Sequence, residues 1–88
     1  MSKIESVSIP VSNIKRSIQW YKENFKCELI SESKISASLQ FENIKLVLLL
    51  PIEEPPHLTI ETSDLGTHVN GQLEHDGHGN FIKIIKKK

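Results

Sequence analysis

From Ile4 onward the chain alternates: Val7, Ile9 and Val11 fall on one side and Ser6, Ser8 and Pro10 on the other. A period of two of this kind predicts a half-buried strand that stops near Pro10. Ser12 and Asn13 follow, and a short side-chain oxygen at either position can accept from the free backbone N–H groups of a first helical turn. Ile14, Ile18, Tyr21 and Phe25 then recur at helical spacing, with Lys15, Arg16, Gln19, Lys22 and Glu23 on the remaining surface. That pattern predicts a helix lying on a sheet. Trp20 sits beside the apolar stripe and reads as a cover for the sheet edge, its indole N–H outward, rather than as a ligand-stacking ring.

Three further strands are predicted, over Cys27 to Glu32, Ile35 to Phe41 and Ile44 to Leu50. The turns between them, Glu32-Ser33-Lys34 and Glu42-Asn43, are of hairpin length, so the three should form an antiparallel meander. The first 51 residues thus read as one βαβββ unit. Pro51 and the run Glu53-Glu54-Pro55-Pro56 make a connector, because proline cannot donate to a sheet ladder. Alternation resumes at His57-Leu58-Thr59-Ile60-Glu61. A polar stretch from Thr62 to Gly79 leads to a last strand over Asn80 to Ile85. Only 32 residues follow Pro56. A second βαβββ unit, with a helix of about eleven residues and four strands of about five, does not fit in them. The expectation is therefore an α+β domain over residues 1–88: a complete unit over 1–51 and an abridged one over 57–88 that lacks at least one strand and its helix.

Size sharpens this picture. A chain of 88 residues buries only roughly 60 to 65% of its unfolded surface, and a second copy of itself is a common remedy for an uncovered apolar face or strand edge. A homodimer is expected, with exchange of the second unit across the connector as one route. Eleven basic and eleven acidic residues cancel, so no overall field draws the protein to nucleic acid or to an anionic membrane. Lys86-Lys87-Lys88 reads as a frayed, solvated end. The longest apolar run, Leu46 to Leu50, is far shorter than the roughly 20 residues that span a bilayer. No signal-like opening and a lone cysteine together point to a cytoplasmic setting. Cys27, expected on a strand in apolar surroundings that leave a thiol inert, is not a candidate nucleophile.

Several short segments, in order, resemble the glyoxalase, bleomycin-resistance and extradiol dioxygenase superfamily, the vicinal oxygen chelate fold. Ile4 to Asn13 resembles its first strand and helix cap, and Ser17-Ile18-Gln19-Trp20-Tyr21 its helix. Lys45 to Leu49 resembles the strand that closes the first module. His57 to Leu65 and Asp76 to Ile84 resemble the first and last strands of the second. The stretch between Asp64 and Asp76 departs, since the family carries a helix and two strands there. The resemblance implies two modules forming a curved, antiparallel-rich cup, in many members with a divalent metal on its floor. Its four ligand positions fall here on Ser6, Val47, His57 and Lys83.

Of these only His57 is a plausible ligand. A cation held by nitrogen and oxygen needs three or four donors, and neither valine nor an ammonium has a lone pair to give. The ammonium would also repel a cation by on the order of several kcal/mol in a partly buried site. No metal and no other cofactor is therefore expected. The resemblance then implies a small-molecule-binding module of the bleomycin-resistance type. An anionic or carbonyl-bearing ligand would lie against Ser6, His57 and Lys83, which the resemblance implies on the cup floor, and against Ser8, Thr59 and Glu61, which alternation from Ser6 and His57 adds to the same face. Against this stands a plainer reading, in which Lys83 reaches solvent and His57 is a satisfied strand residue. The alternative function is a metal-dependent lyase, isomerase or dioxygenase whose ligands are completed across a dimer. Whether the chain is an enzyme is left open by the residues, as is the loss of all function through shortening. His75 and His78, three apart, read as part of the glycine-containing turn before the last strand rather than as metal ligands, and His68 has no partner within ligand spacing.

Overall fold

The computed structural model describes residues 2–51 and 55–87. Its elements, in chain order, are β1 (Lys3–Pro10), α1 (Ile14–Asn24), β2 (Glu28–Glu32), β3 (Ser36–Gln40), β4 (Lys45–Leu49), β5 (His57–Thr62), β6 (Leu73–His75) and β7 (Phe81–Lys86). The strands form one mixed sheet in the order β2-β3-β4-β1-β5-β7-β6. This is an α+β fold with βαβββ in its first half and three strands without a helix in its second. Residues 52–54 of the proline-rich connector lie outside the described residues.

The meander β2-β3-β4 is antiparallel, as its short turns predict. Its first turn is held by Ser33, whose hydroxyl accepts from the Ile35 and Ser36 amides at 3.3 and 3.1 Å. β4 then returns parallel to β1, with Val7 opposite Leu46 and Ile9 opposite Leu48. On the far side of β1, β5 pairs antiparallel, β7 lies parallel to β5, and β6 is antiparallel to β7. Each side of the β1–β5 seam therefore has a parallel neighbour followed by an antiparallel one.

Asn13, not Ser12, caps α1: its side chain accepts from the Arg16 amide at 3.0 Å. The helix buries Ile14 and Ile18 against Ala37, Leu39 and Leu48, with Ile9, Val11, Tyr21 and Leu46 packed around them. Phe25 departs from expectation, because the helix ends at Asn24 and Phe25 serves as its C-cap, half exposed. There it joins an aromatic cluster with Trp20, Tyr21 and Phe41 at centroid distances of 5.0 to 6.4 Å. Cys27 precedes β2 instead of lying on it, and packs against the same core.

Two parts of the polar second half were misjudged from sequence. Leu73–His75 forms β6 within what reads as a continuous loop; three residues are too few to show a period, and the pairing comes from β7. The lysine tail is not wholly frayed either. Lys86 lies in β7 and donates its amide to Asn70 Oδ1 at 2.7 Å, and the Lys87 amide donates to the Thr62 carbonyl at 2.8 Å.

Leu39 and Leu48 are completely buried between sheet and helix. Leu39→Ala should lower unfolding free energy by about 3 kcal/mol, the usual cost of lost transfer energy plus a cavity. Ile4→Ala, at a half-exposed site, should cost less than about 1 kcal/mol. Urea unfolding followed by circular dichroism distinguishes the two; equal losses would mean that the helix-covered core is not the stabilising one.

Candidate functional site

The sheet face turned away from α1 carries every candidate residue. Alternation and register make its rows explicit. Ser6 on β1 pairs with Lys45 on one side and Thr59 on the other, Thr59 pairs with Lys83, and Lys83 with Leu73. One row therefore reads Lys45, Ser6, Thr59, Lys83, Leu73 across five strands. A second row holds Val47 beside Ser8, then His57, Phe81 and His75. Glu61, opposite Lys3 and Ile85, begins a third. The structure thus brings Ser6, Ser8, His57, Thr59, Glu61 and Lys83 onto one surface. Ser6, Ser8, His57 and Thr59 are buried, while Glu61 and Lys83 are half-buried.

His57 is oriented by its neighbours. Its Nδ1 lies 2.9 Å from the Pro55 carbonyl oxygen, which can only accept, so Nδ1 carries the hydrogen. Nε2 is left as the acceptor facing the Ser8 hydroxyl at 3.4 Å. The buried imidazole is thereby satisfied at both nitrogens. Among the described residues no buried side-chain nitrogen or oxygen lacks a hydrogen-bond partner, which is the condition for keeping polar groups in a sheet interior.

Charges frame this floor. Lys45 Nζ donates to Glu5 Oε1 at 2.7 Å, and Lys3 lies 3.7 Å from Glu61. Sequence alternation alone misses both pairs, because the register of β1 against β5 shifts between Ile4 and Ser6. That irregularity resets which residues share a face, so Lys3 joins the side of Ser6. Lys45 reaches the site through the parallel β1–β4 pairing, and no local signal announces it.

Neither of two clefts flanking α1 contains any of the six residues. One, of about 590 Å³, is lined by Ser12, Asn13, Lys15, Glu32 and Lys34; the other is lined by Lys26, Cys27, Gln40 and Phe41. Both are gaps between helix ends and hairpin turns. The polar face has a cleft of its own, of about 410 Å³, lined by Lys3, Glu5, Lys45 and Glu61. It takes in Glu61 but none of the other five, which are set apart by burial and convergence instead.

The remaining histidines lie apart from this face's buried floor, in or beside the turns of the second half. His75 Nδ1 accepts from the Gly77 amide at 3.0 Å and its ring meets Phe81 edge-on. Gly77 and Gly79 have φ of 86° and 92°, backbone angles that glycine adopts without steric cost. The Asp76 carboxylate accepts from Asn80 Nδ2 and from the His78 and Asn80 amides, which holds it below the usual carboxylate range. His68 does have a partner, Glu74 Oε2 at 2.7 Å. The ligand positions that the family resemblance implies do not fit a metal, since Val47 offers no donor and Lys83 an ammonium. Among the described residues no group of three His, Cys, Asp or Glu could hold one.

The class that the fold defines is a small α+β protein with a single mixed sheet and one covering helix. No protein-family model and no characterised protein matches the sequence. Among solved structures the fold is similar to that of a hypothetical protein from Staphylococcus aureus, at TM-score 0.73 and 12% identity over 98% of this chain. The chain spans about a third (34%) of that protein's length. It is also similar to a hypothetical protein from Bacillus halodurans, at TM-score 0.68 and 17% identity, covering 99% of this chain and 95% of the other. No helix among the described residues is long and apolar enough to cross a membrane.

The Glu5 carboxyl yields a pH prediction. Partial burial alone would raise it, but hydrogen bonds from Lys45 and Ser6 and the charges of Lys45 and Lys3 together outweigh burial and hold it below its ordinary 4.5. Its stabilising contribution is therefore fully present above the unfolded value and is lost as pH falls through the lowered one. Glu5→Gln should destabilise the protein at about pH 6 and have little effect at about pH 3, as read from urea midpoints. An equal loss at both would assign the effect to shape rather than to charge.

Proposed function

We propose that this chain is a shortened member of the glyoxalase and bleomycin-resistance superfamily that binds a small anionic or carbonyl-bearing molecule on the sheet face away from α1, without a metal. The observation that carries this reading is the row Ser6, Thr59, Lys83, with Ser8 and His57 beside it. Hydroxyls and an ammonium meet on a surface that no helix covers, beside an imidazole whose nitrogens face Pro55 and Ser8. An anion there finds a cation and short donors in a setting partly shielded from water, where each contact is stronger than in bulk solvent. The order of strands outward from the β1–β5 seam also suits a pair of related modules, the second abridged.

In this role Lys83 supplies the positive charge, Thr59 beside it and Ser6 one strand further along the row offer hydroxyls, and Ser8 and His57 define the adjoining subsite. Glu61, paired with Lys3, closes the opposite end and disfavours a second negative group. Fold analogy supplies the family part of the reading; the residue roles come from register and charge.

Titration calorimetry with benzoate and with neutral benzamide tests it. Benzoate should bind more tightly, and Lys83→Gln should weaken benzoate about tenfold or more while leaving benzamide nearly unchanged. Trp20→Ala, on the helix, should change neither. Lack of any charge preference, or insensitivity to Lys83→Gln, sinks the reading. Elemental analysis of protein purified without chelator addresses the metal-dependent enzyme: a stoichiometric metal lost on His57→Ala would favour it over metal-free binding.

A further inference from the structure

The segment between β5 and β6 is fastened to β7 at one short turn. The Gln72 amide donates to the Val69 carbonyl at 3.1 Å and Gly71 has φ of 79°, which makes residues 69–72 a β-turn with glycine where a positive φ is required. Its two central residues, Asn70 and Gly71, are exposed, and both bond to β7. The Gly71 amide donates to the Ile84 carbonyl at 2.8 Å, and Asn70 Oδ1 accepts from the Lys86 amide at 2.7 Å. His68 adds a tie to Glu74 of β6 at 2.7 Å. Between this segment and the sheet lies a cavity of about 210 Å³, with Ile82 and Ile84 in its wall.

The turn is also the place where this chain is most open to attack by its own backbone. Asn13, Asn24, Asn43 and Asn80 each precede isoleucine or phenylalanine, whose side chains crowd the next peptide nitrogen. Only Asn70 precedes glycine, which has no side chain to do so. Once the Gly71 nitrogen gives up its proton to a base in solvent, it can add to Asn70 Cγ. A bond forms from that nitrogen to Cγ and the bond from Cγ to Nδ2 breaks. Nδ2 takes a proton from solvent and leaves as ammonia, and a cyclic imide remains. Water then opens the ring. Cleavage at Cγ leaves aspartate in an unchanged chain, whereas cleavage at the main-chain carbonyl leaves isoaspartate, with the backbone rerouted through Cβ and Cγ. Nothing is oxidised or reduced, and water is the one co-reactant. Asp76-Gly77 is the acid counterpart, but the hydrogen bonds that Asp76 accepts from His78 and Asn80 favour its ionised form, from which hydroxide is a poor leaving group.

The native contacts oppose ring closure at Asn70. The proton that the Gly71 nitrogen must lose is the one it donates to Ile84, and bringing Cγ onto that nitrogen draws Oδ1 away from the Lys86 amide. Both anchors to β7 must open first. We infer that Asn70 is a site of spontaneous covalent modification, gated by the attachment of the β5–β6 segment to β7, and that its isoaspartyl product frees this segment from the sheet. The isoaspartyl turn is one backbone atom longer and its carboxylate branches from a different carbon, so it no longer meets Ile84 and Lys86 together. The aspartyl product keeps the original backbone and an oxygen for the Lys86 amide.

Peptide mass spectrometry of the full chain, aged in mildly alkaline buffer, follows each asparagine, and labelling by an isoaspartyl methyltransferase measures the rerouted product. Conversion should be fastest at Asn70. It should run about thirtyfold more slowly in native protein than in concentrated urea, the factor that two hydrogen bonds of usual net strength supply. His68→Ala leaves the reacting pair intact but removes the tie to Glu74; it should speed native conversion several-fold and leave conversion in urea unchanged. In the isoaspartyl fraction the Lys86 amide should exchange its hydrogen faster than in fresh protein, whereas Asn70→Asp should leave it protected. Equal rates in buffer and urea overturn the gating. Native conversion at Asn70 no faster than at Asn13 or Asn80 overturns the site, and an isoaspartyl protein whose Lys86 amide stays protected overturns the release.

Discussion

The molecule depends on one pairing, the antiparallel contact of β1 with β5. β1 is the inner strand of the first half and β5 of the second, so among the described residues this seam is the ladder that joins them in the sheet order. The register shift between Ile4 and Ser6 lies within it, and that irregularity decides which side chains of β1 share a face with those of β5. Ser6 then meets Thr59 and Ser8 meets His57, so polar partners line up across the seam. A one-residue slip would set serines against Leu58 and place isoleucine on the polar side.

The two halves meet the demands of a small chain differently. In the first, α1 closes one face over Leu39 and Leu48, which are removed from water entirely. In the second, Leu58, Ile60, Ile82 and Ile84 alternate just as cleanly, yet nothing as large as a helix lies above them. The β5–β6 segment is tied down by point contacts instead: the Gly71 amide to the Ile84 carbonyl, the Lys86 amide to Asn70, and His68 to Glu74. Such hydrogen bonds fix a path for the chain but bury little apolar surface, and apolar burial is the larger stabilising term.

What the sequence disclosed follows the same division. Alternation over Ile35 to Phe41 and the spacing of Ile14, Ile18 and Tyr21 were legible because each element is long enough to show its period, and the two hairpins because their turns are short. β6 was not legible, since three residues carry no period and its existence rests on β7. The parallel pairing of β4 with β1, which brings Lys45 to Ser6, is a long-range choice that no local pattern encodes. The six polar residues could be placed on one face because the family resemblance sets Ser6, His57 and Lys83 together and strict alternation adds Ser8, Thr59 and Glu61 to them. Lys3 and Glu5 could not, because the register shift breaks that rule. Phe25 was misread for a similar reason: helical spacing continues one residue past the point where the backbone turns extended.

Alternation also couples the two surfaces of β5 and β7. His57, Thr59 and Lys83 point one way, and Leu58, Ile60, Ile82 and Ile84 point the other from the same backbone. Any opening of that ladder therefore disturbs both faces at once. A sheet covered on its apolar side opens less often than one solvated on both sides, because opening would then expose buried area as well as hydrogen bonds. Lys83 lies on β7, between Thr59 of β5 and Leu73 of the three-residue β6. The precision with which an ammonium can be held next to Thr59 thus depends on what lies against Ile82 and Ile84, on the opposite side of the strand.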